Sequence, residues 1–174
     1  MIAFREFLRC HEEALGFRPD PEKLDALRAP ASATLYLVAG PGTGKTACLA
    51  ARVLKLMLVD DIPADGIVAM TFTTKAAAEL RARILDWGFR MLARLQEDRR
   101  LSLRKRRGAA ELDVNQIVTG TLDSLCQDML VRYRDPGAQP PVLVDEFVAS
   151  TLLLRHGFFD DGRFRSARLD TLLQ

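Results

Sequence analysis

A chain of 174 residues has the length of one ordinary domain, and its composition, 48% hydrophobic and 28% charged with 11 Gly and 8 Pro, excludes disordered, collagenous and low-complexity classes. Three cysteines, Cys10, Cys48 and Cys126, make no CxxC pair and stand at no metal-ligand spacing from a histidine, so neither a disulfide framework nor a zinc site is expected. Net charge is only +2, yet residues 81–107 carry ten Lys and Arg against three Asp and Glu.

No apolar run approaches the ~18 residues that span a bilayer, and Arg5, Glu6 and Arg9 interrupt the start where a signal peptide needs its apolar stretch. A cytoplasmic protein without a membrane partner is the expectation. Residues 1–30 mix apolar and charged positions in a helical rhythm and form a helical lead-in. From Thr34, TLYLVAG reads as a short buried strand closed by glycine, and 47–59 follows as a helix with Leu49, Val53, Leu56 and Met57 on one face. A second unit repeats the order: IVAM at 67–70 as strand, TFTTK, then a long helix with Leu80, Ile84, Trp87, Met91 and Leu95 on one stripe. A third has QIVTGT from Gln116 as strand and Leu122, Leu125, Cys126, Met129 and Leu130 as an apolar helix face. Three strand-then-helix units without hairpin signals predict an α/β domain, a parallel sheet flanked by helices, with ligands at the carboxyl ends of the strands.

Between the first strand and its helix stands AGPGTGKT: Ala39, Gly40, Pro41, Gly42, Thr43, Gly44, Lys45 and Thr46. The spacing is that of a phosphate-binding loop, with Ala in place of the first Gly. Glycines let successive backbone N–H groups turn inward on phosphate oxygens, Lys45 reaches the β and γ phosphates, and Thr46 offers its hydroxyl to magnesium at a helix N-terminus. A nucleoside triphosphate with Mg2+ is the expected ligand pair. Between the second and third units, RRLSLRKRR from Arg99 to Arg107 places six cations in nine residues. It reads either as a contact to a polyanion through Arg104, Arg106 and Arg107 or as a solvated loop.

TFTTKAAAELRARI at 71–84 and GTLDSLCQDML at 120–130 resemble, in order after the phosphate loop, the motifs TFTNKAA and GTFHSLC of UvrD/Rep-type superfamily 1 DNA helicases. The resemblance covers roughly residues 20–155 and implies a RecA-like P-loop NTPase, here a partial first motor domain. It implies an ATP-dependent helicase whose isolated chain binds MgATP and single-stranded DNA but hydrolyses poorly. Its domains would be 1–30, the ATP-binding core at 31–135, and the start of a helical insert at 136–174. The implied partners are single-stranded or partly duplex DNA and the remainder of the helicase chain. Thr71, Phe72, Thr73, Lys75, Thr121 and Ser124 would line the DNA track, Phe72 stacking on a base. A core-packed Phe72 and threonines that only cap helices are the structural alternative. Where the family has Gln before the phosphate loop, this chain has Lys23, which lacks an amide's paired donor and acceptor for adenine. In the third motif Leu122 and Asp123 stand for Phe and His. Finally, VLVDEF at 142–147 reads as a Walker B pair, Asp145 and Glu146, or, behind Pro140 and Pro141, as the first residues of a helix, which the spacing favours. A binding module that uses nucleotide without hydrolysis is the alternative to the helicase reading.

Overall fold

The computed structural model describes residues 1–40, 42–135, 137 and 146–156, excluding the side chains of 152–156. The chain forms two compact units, Met1–Cys126 and Gln127–Gln174.

The first unit opens with α1 (Phe4–Leu15), whose Phe7, Leu8, Cys10 and His11 are buried. Gly16 ends it in the left-handed conformation, φ 82°, returning its N–H to Glu12 O. α2 (Pro21–Arg28) starts with Pro at its first position, where no N–H is needed. α3 (Lys45–Leu58) buries Val53, Leu54, Met57 and Leu58 and anchors α2. From α3, Arg52 Nη1 donates to Ala26 O at 2.6 Å and to Ala29 O at 3.0 Å. Lys55, only 3% exposed, reaches Ala29 O at 3.0 Å and the Asp60 carboxylate at 2.6 Å, the two partners a buried ammonium requires.

β1 (Val68–Thr71) leads through α4 (Thr74–Glu97) and α5 (Leu103–Glu111) to β2 (Val118–Thr121). The strands pair in parallel, Val68 opposite Val118 and Thr71 opposite Thr121. A parallel pair needs a long crossover, and α4 supplies it. Its buried residues Ala77, Leu80, Ile84, Gly88, Met91, Leu92 and Leu95 recur at helical spacing. Gly88 is required there: a Cβ would stand 2.7 Å from Val114 Cγ1. α1, α3 and α4 enclose a core in which Phe7, Leu54, Met57, Leu80, Met91 and Val114 are fully buried, each such side chain worth ~1.5–3 kcal/mol of burial. α6 (Leu122–Arg132) follows β2 directly, and α7 (Glu146–His156) lies in the second unit.

The strand-then-helix order and parallel pairing are present, but the expected three-stranded sheet is not: among the described residues the sheet has two strands. The run from Thr34 to Gly40 carries no ladder, and Leu35, Tyr36, Leu37 and Val38 are all exposed, Tyr36 at 92%. An apolar run becomes a central strand only when neighbours cover both faces and both edges, and among the described residues this run has neither. Flanking is also one-sided: Ala69 is buried, whereas Val68 and Met70 are exposed. The basic stretch, read as a possible loop, contains the helix α5. Ser102 Oγ accepts from Lys105 N, and Ala109 packs inward.

Candidate nucleotide loop and nucleic-acid face

The phosphate-loop sequence runs into α3 through two glycines with positive φ, Gly42 at 76° and Gly44 at 83°, conformations that a side chain rarely adopts. Gly44 caps α3 and its carbonyl accepts the Cys48 N–H at 2.9 Å. Thr43 Oγ1 donates to Gly40 O at 2.9 Å, closing the loop on itself. Lys45 lies exposed over the same loop, its Nζ donating to Ala39 O at 2.9 Å and Gly40 O at 2.6 Å. Thr46, in the first turn of α3, is exposed. The donor set fits a phosphate ligand: a mobile ammonium, a hydroxyl and the N-terminus of a 14-residue helix on one loop. Pro41 lies outside the described residues.

Lys23, at the start of α2, comes against this loop. A Cβ on Gly44 would stand 3.2 Å from Lys23 Nζ. The ammonium is paired with the Asp20 carboxylate at 2.5 Å, and that hydrogen bond raises the amine's pKa above its ordinary value. The hollow beside it, with a volume of about 70 Å3, is walled by Arg18, Asp20, Lys23, Cys48, His11 and Trp87, among others. His11, which sequence reading did not single out, is fully buried there. Its Nδ1 donates to Phe17 O at 3.1 Å, its ring meets Phe17 and Trp87 edge-on, and Nε2 has no partner among the described residues. The only signal for it in the sequence is its place on the apolar face of α1.

The two expected DNA loops start side by side, because Thr71 and Thr121 are partners in the ladder and end their strands together. Phe72 is 97% exposed, so the core-packed alternative does not hold for it. Lys75 is exposed as well. The threonines do cap: Thr73 Oγ1 accepts from Ala76 N at 3.2 Å, and Thr71 Oγ1 donates to Thr73 O at 3.0 Å. Thr121 and Ser124 form a reciprocal box. Ser124 Oγ accepts from Thr121 N at 3.0 Å, and Thr121 Oγ1 accepts from Ser124 N at 3.2 Å. Gly120 permits that closure, since a Cβ there would stand 2.8 Å from Ser124 Oγ. Behind the face, Arg81 on α4 donates to Thr119 Oγ1 at 3.0 Å and ties β2 to the crossover helix, a role sequence reading missed.

The basic cluster does not join this face. Arg104, Lys105 and Arg107 border a hollow with Met1, Asp61 and Glu111, beyond the C-terminal end of α3. The phosphate loop is at the other end of that helix, ~20 Å away at 1.5 Å per residue. Several of its cations are engaged within the fold. Arg100 bridges Asp98 and Glu13, Lys105 holds Glu6 at 2.7 Å, and Arg106 Nε donates to Gln96 O. Arg104 and Arg107 are exposed and have no ion-pair partner among the described residues. Asp145 lies outside the described residues; Glu146 is the first residue of α7. Among the described residues no helix is long and apolar enough to cross a membrane.

The UvrD/REP helicase N-terminal domain family matches residues 20–152. Relatives include the ATP-dependent DNA helicase SRS2 of Saccharomyces cerevisiae, 35% identical over 99 residues, or 57% of this chain and 7% of that one. DNA helicase II of Escherichia coli is 48% identical over 60 residues, 34% of this chain and 8% of its own. The ATP-dependent DNA helicase UvrD1 of Mycobacterium tuberculosis is 49% identical over 51 residues, 29% of this chain and 7% of its own. The matched stretches thus span less than a tenth of the length of these relatives.

Proposed function

The chain belongs to the UvrD/REP helicase N-terminal domain family, and on that footing we propose that it is the nucleotide-binding portion of a superfamily 1 DNA helicase, with its first unit part of a RecA-like motor lobe. Lys45 and the loop N–H groups hold the phosphates of ATP, and Thr46 holds Mg2+. The metal, when bound, neutralises charge that develops on the phosphate oxygens. Phe72 stacks on a base of single-stranded DNA while Thr71, Thr73, Lys75, Thr121 and Ser124 meet the strand through backbone groups, hydroxyls and charge. With Thr121 and Ser124 hydrogen-bonded to each other, and Leu122 and Asp123 in place of the family's Phe and His, the third motif holds DNA less firmly than the second. Arg104, Arg106 and Arg107 meet phosphates elsewhere on a partly duplex substrate.

Binding and turnover separate in this proposal. Fast phosphoryl transfer also needs a carboxylate that orients water and an arginine finger worth ~1,000-fold or more. Neither is identified among the described residues, so the isolated chain turns ATP over poorly, and the remainder of a helicase chain is its natural partner.

The observation that carries the DNA assignment is the bare Phe72 ring beside the paired ends of β1 and β2. Phe72→Ala removes one stacked base, ~1–3 kcal/mol, so affinity for oligo-dT falls about tenfold while the salt dependence, set by phosphates, stays as it was. Unchanged affinity in a fluorescence-anisotropy titration would remove Phe72 from the track.

A further inference from the structure

We infer that Lys23 is a second phosphate-binding cation of the nucleotide loop, and that it makes the site select for a triphosphate chain with little regard to the base. This rests on the phosphate-loop reading above. Two observations carry it. First, Lys23 Nζ is held against Gly44, the residue that caps α3 and precedes Lys45, and so lies beside the backbone of the loop. Second, the side chain at this position offers donors only. To read adenine, a site must accept from the exocyclic amine and donate to a ring nitrogen; an ammonium only donates. One oxygen of the nearby Asp20 carboxylate, Oδ2, is paired with Lys23. Arg18, also on the wall of the hollow, adds donors only. Cationic donors of this kind suit phosphate oxygens. Asp20 acts as a positioning residue, holding the ammonium at the loop.

The test is displacement of a fluorescent ATP analogue from the 174-residue chain, with Mg2+ present, by ATP, GTP and inorganic tripolyphosphate. The parent should bind all three within a few-fold of one another. Lys23→Met should weaken all three by a similar factor, about tenfold for the removal of one charge-assisted hydrogen bond, and Lys23→Arg should restore them. Among the described residues Lys23 bonds only to Asp20, so the thermal midpoint serves as a check that Lys23→Met is folded; if it is not, the parent's competition series and Lys23→Arg still decide. Tenfold or stronger preference of the parent for ATP over both competitors overturns the inference, as does a Lys23→Met variant with parental affinities. Failure of the parent to bind any triphosphate overturns the loop assignment and this inference together, whereas binding that ignores Lys23 overturns this inference alone.

Discussion

His11 is buried with one ring nitrogen satisfied and the other bare, and burial holds its pKa below the ordinary 6.5. The folded protein therefore stays unprotonated at this ring through a range where the unfolded chain takes up a proton. The sign follows: stability is full above pH 6.5 and declines as pH falls below it. Carboxylates do not interfere in that window. Glu6, Glu13 and Asp98 are held below their ordinary values by Lys105, by Arg100 and by Arg100 respectively, so their contributions are lost only at still lower pH. His11→Gln should flatten the thermal midpoint between about pH 6.5 and 5, whereas the parent's midpoint falls. A parent profile level across that range would refute the assignment. Nothing in the sequence distinguishes His11 from a solvated histidine except its neighbours on the apolar face of α1, since the Phe17 and Trp87 rings that close over it come from other elements. By contrast, the positive φ of Gly42 and Gly44 is legible residue by residue, because the loop motif that demands it lies within eight consecutive positions.

At the scale of elements, helices were readable where the apolar period was strong. The stripe Leu80, Ile84, Met91 and Leu95 is buried in α4, and the helix expected at 47–59 is α3. The strand from Thr34 was not, because an apolar run reports that burial is wanted and cannot report which neighbours deliver it. α5 shows the same limit for charge. Six cations in nine residues suggest one patch, but Arg100 and Lys105 answer acids on α1, 87 and 99 residues away in sequence. Beside Arg99, which precedes the helix, the part of α5 left for a polyanion is Arg104 and Arg107, with the outer guanidinium nitrogens of Arg106. Replacing these three by Ala should lower the slope of log affinity against log salt by up to ~0.7 for each phosphate of a single strand that is no longer neutralised. Parental slope in the triple variant would make α5 a purely structural helix.

For the whole molecule, the parallel ladder is the feature on which the proposed DNA face rests. It brings the loops after β1 and β2 together and leaves Phe72 in solvent, while α3 carries the phosphate loop on the same unit. The order of the three motifs in the sequence anticipated this grouping. The position of the basic helix at the other end of α3 was not anticipated, since helix direction decides it and sequence distance does not. Nucleotide binding by the loop is the claim on which the rest depends. Equilibrium binding of a fluorescent ATP analogue to the 174-residue chain with Mg2+ tests it most directly, comparing the parent with Lys45→Ala. Among the described residues Lys45 bonds only to carbonyls of its own loop, at Ala39 and Gly40, so the variant should keep the parent's thermal midpoint. Saturable binding by the parent and none by Lys45→Ala is the predicted result; equal binding by the two proteins would contradict it.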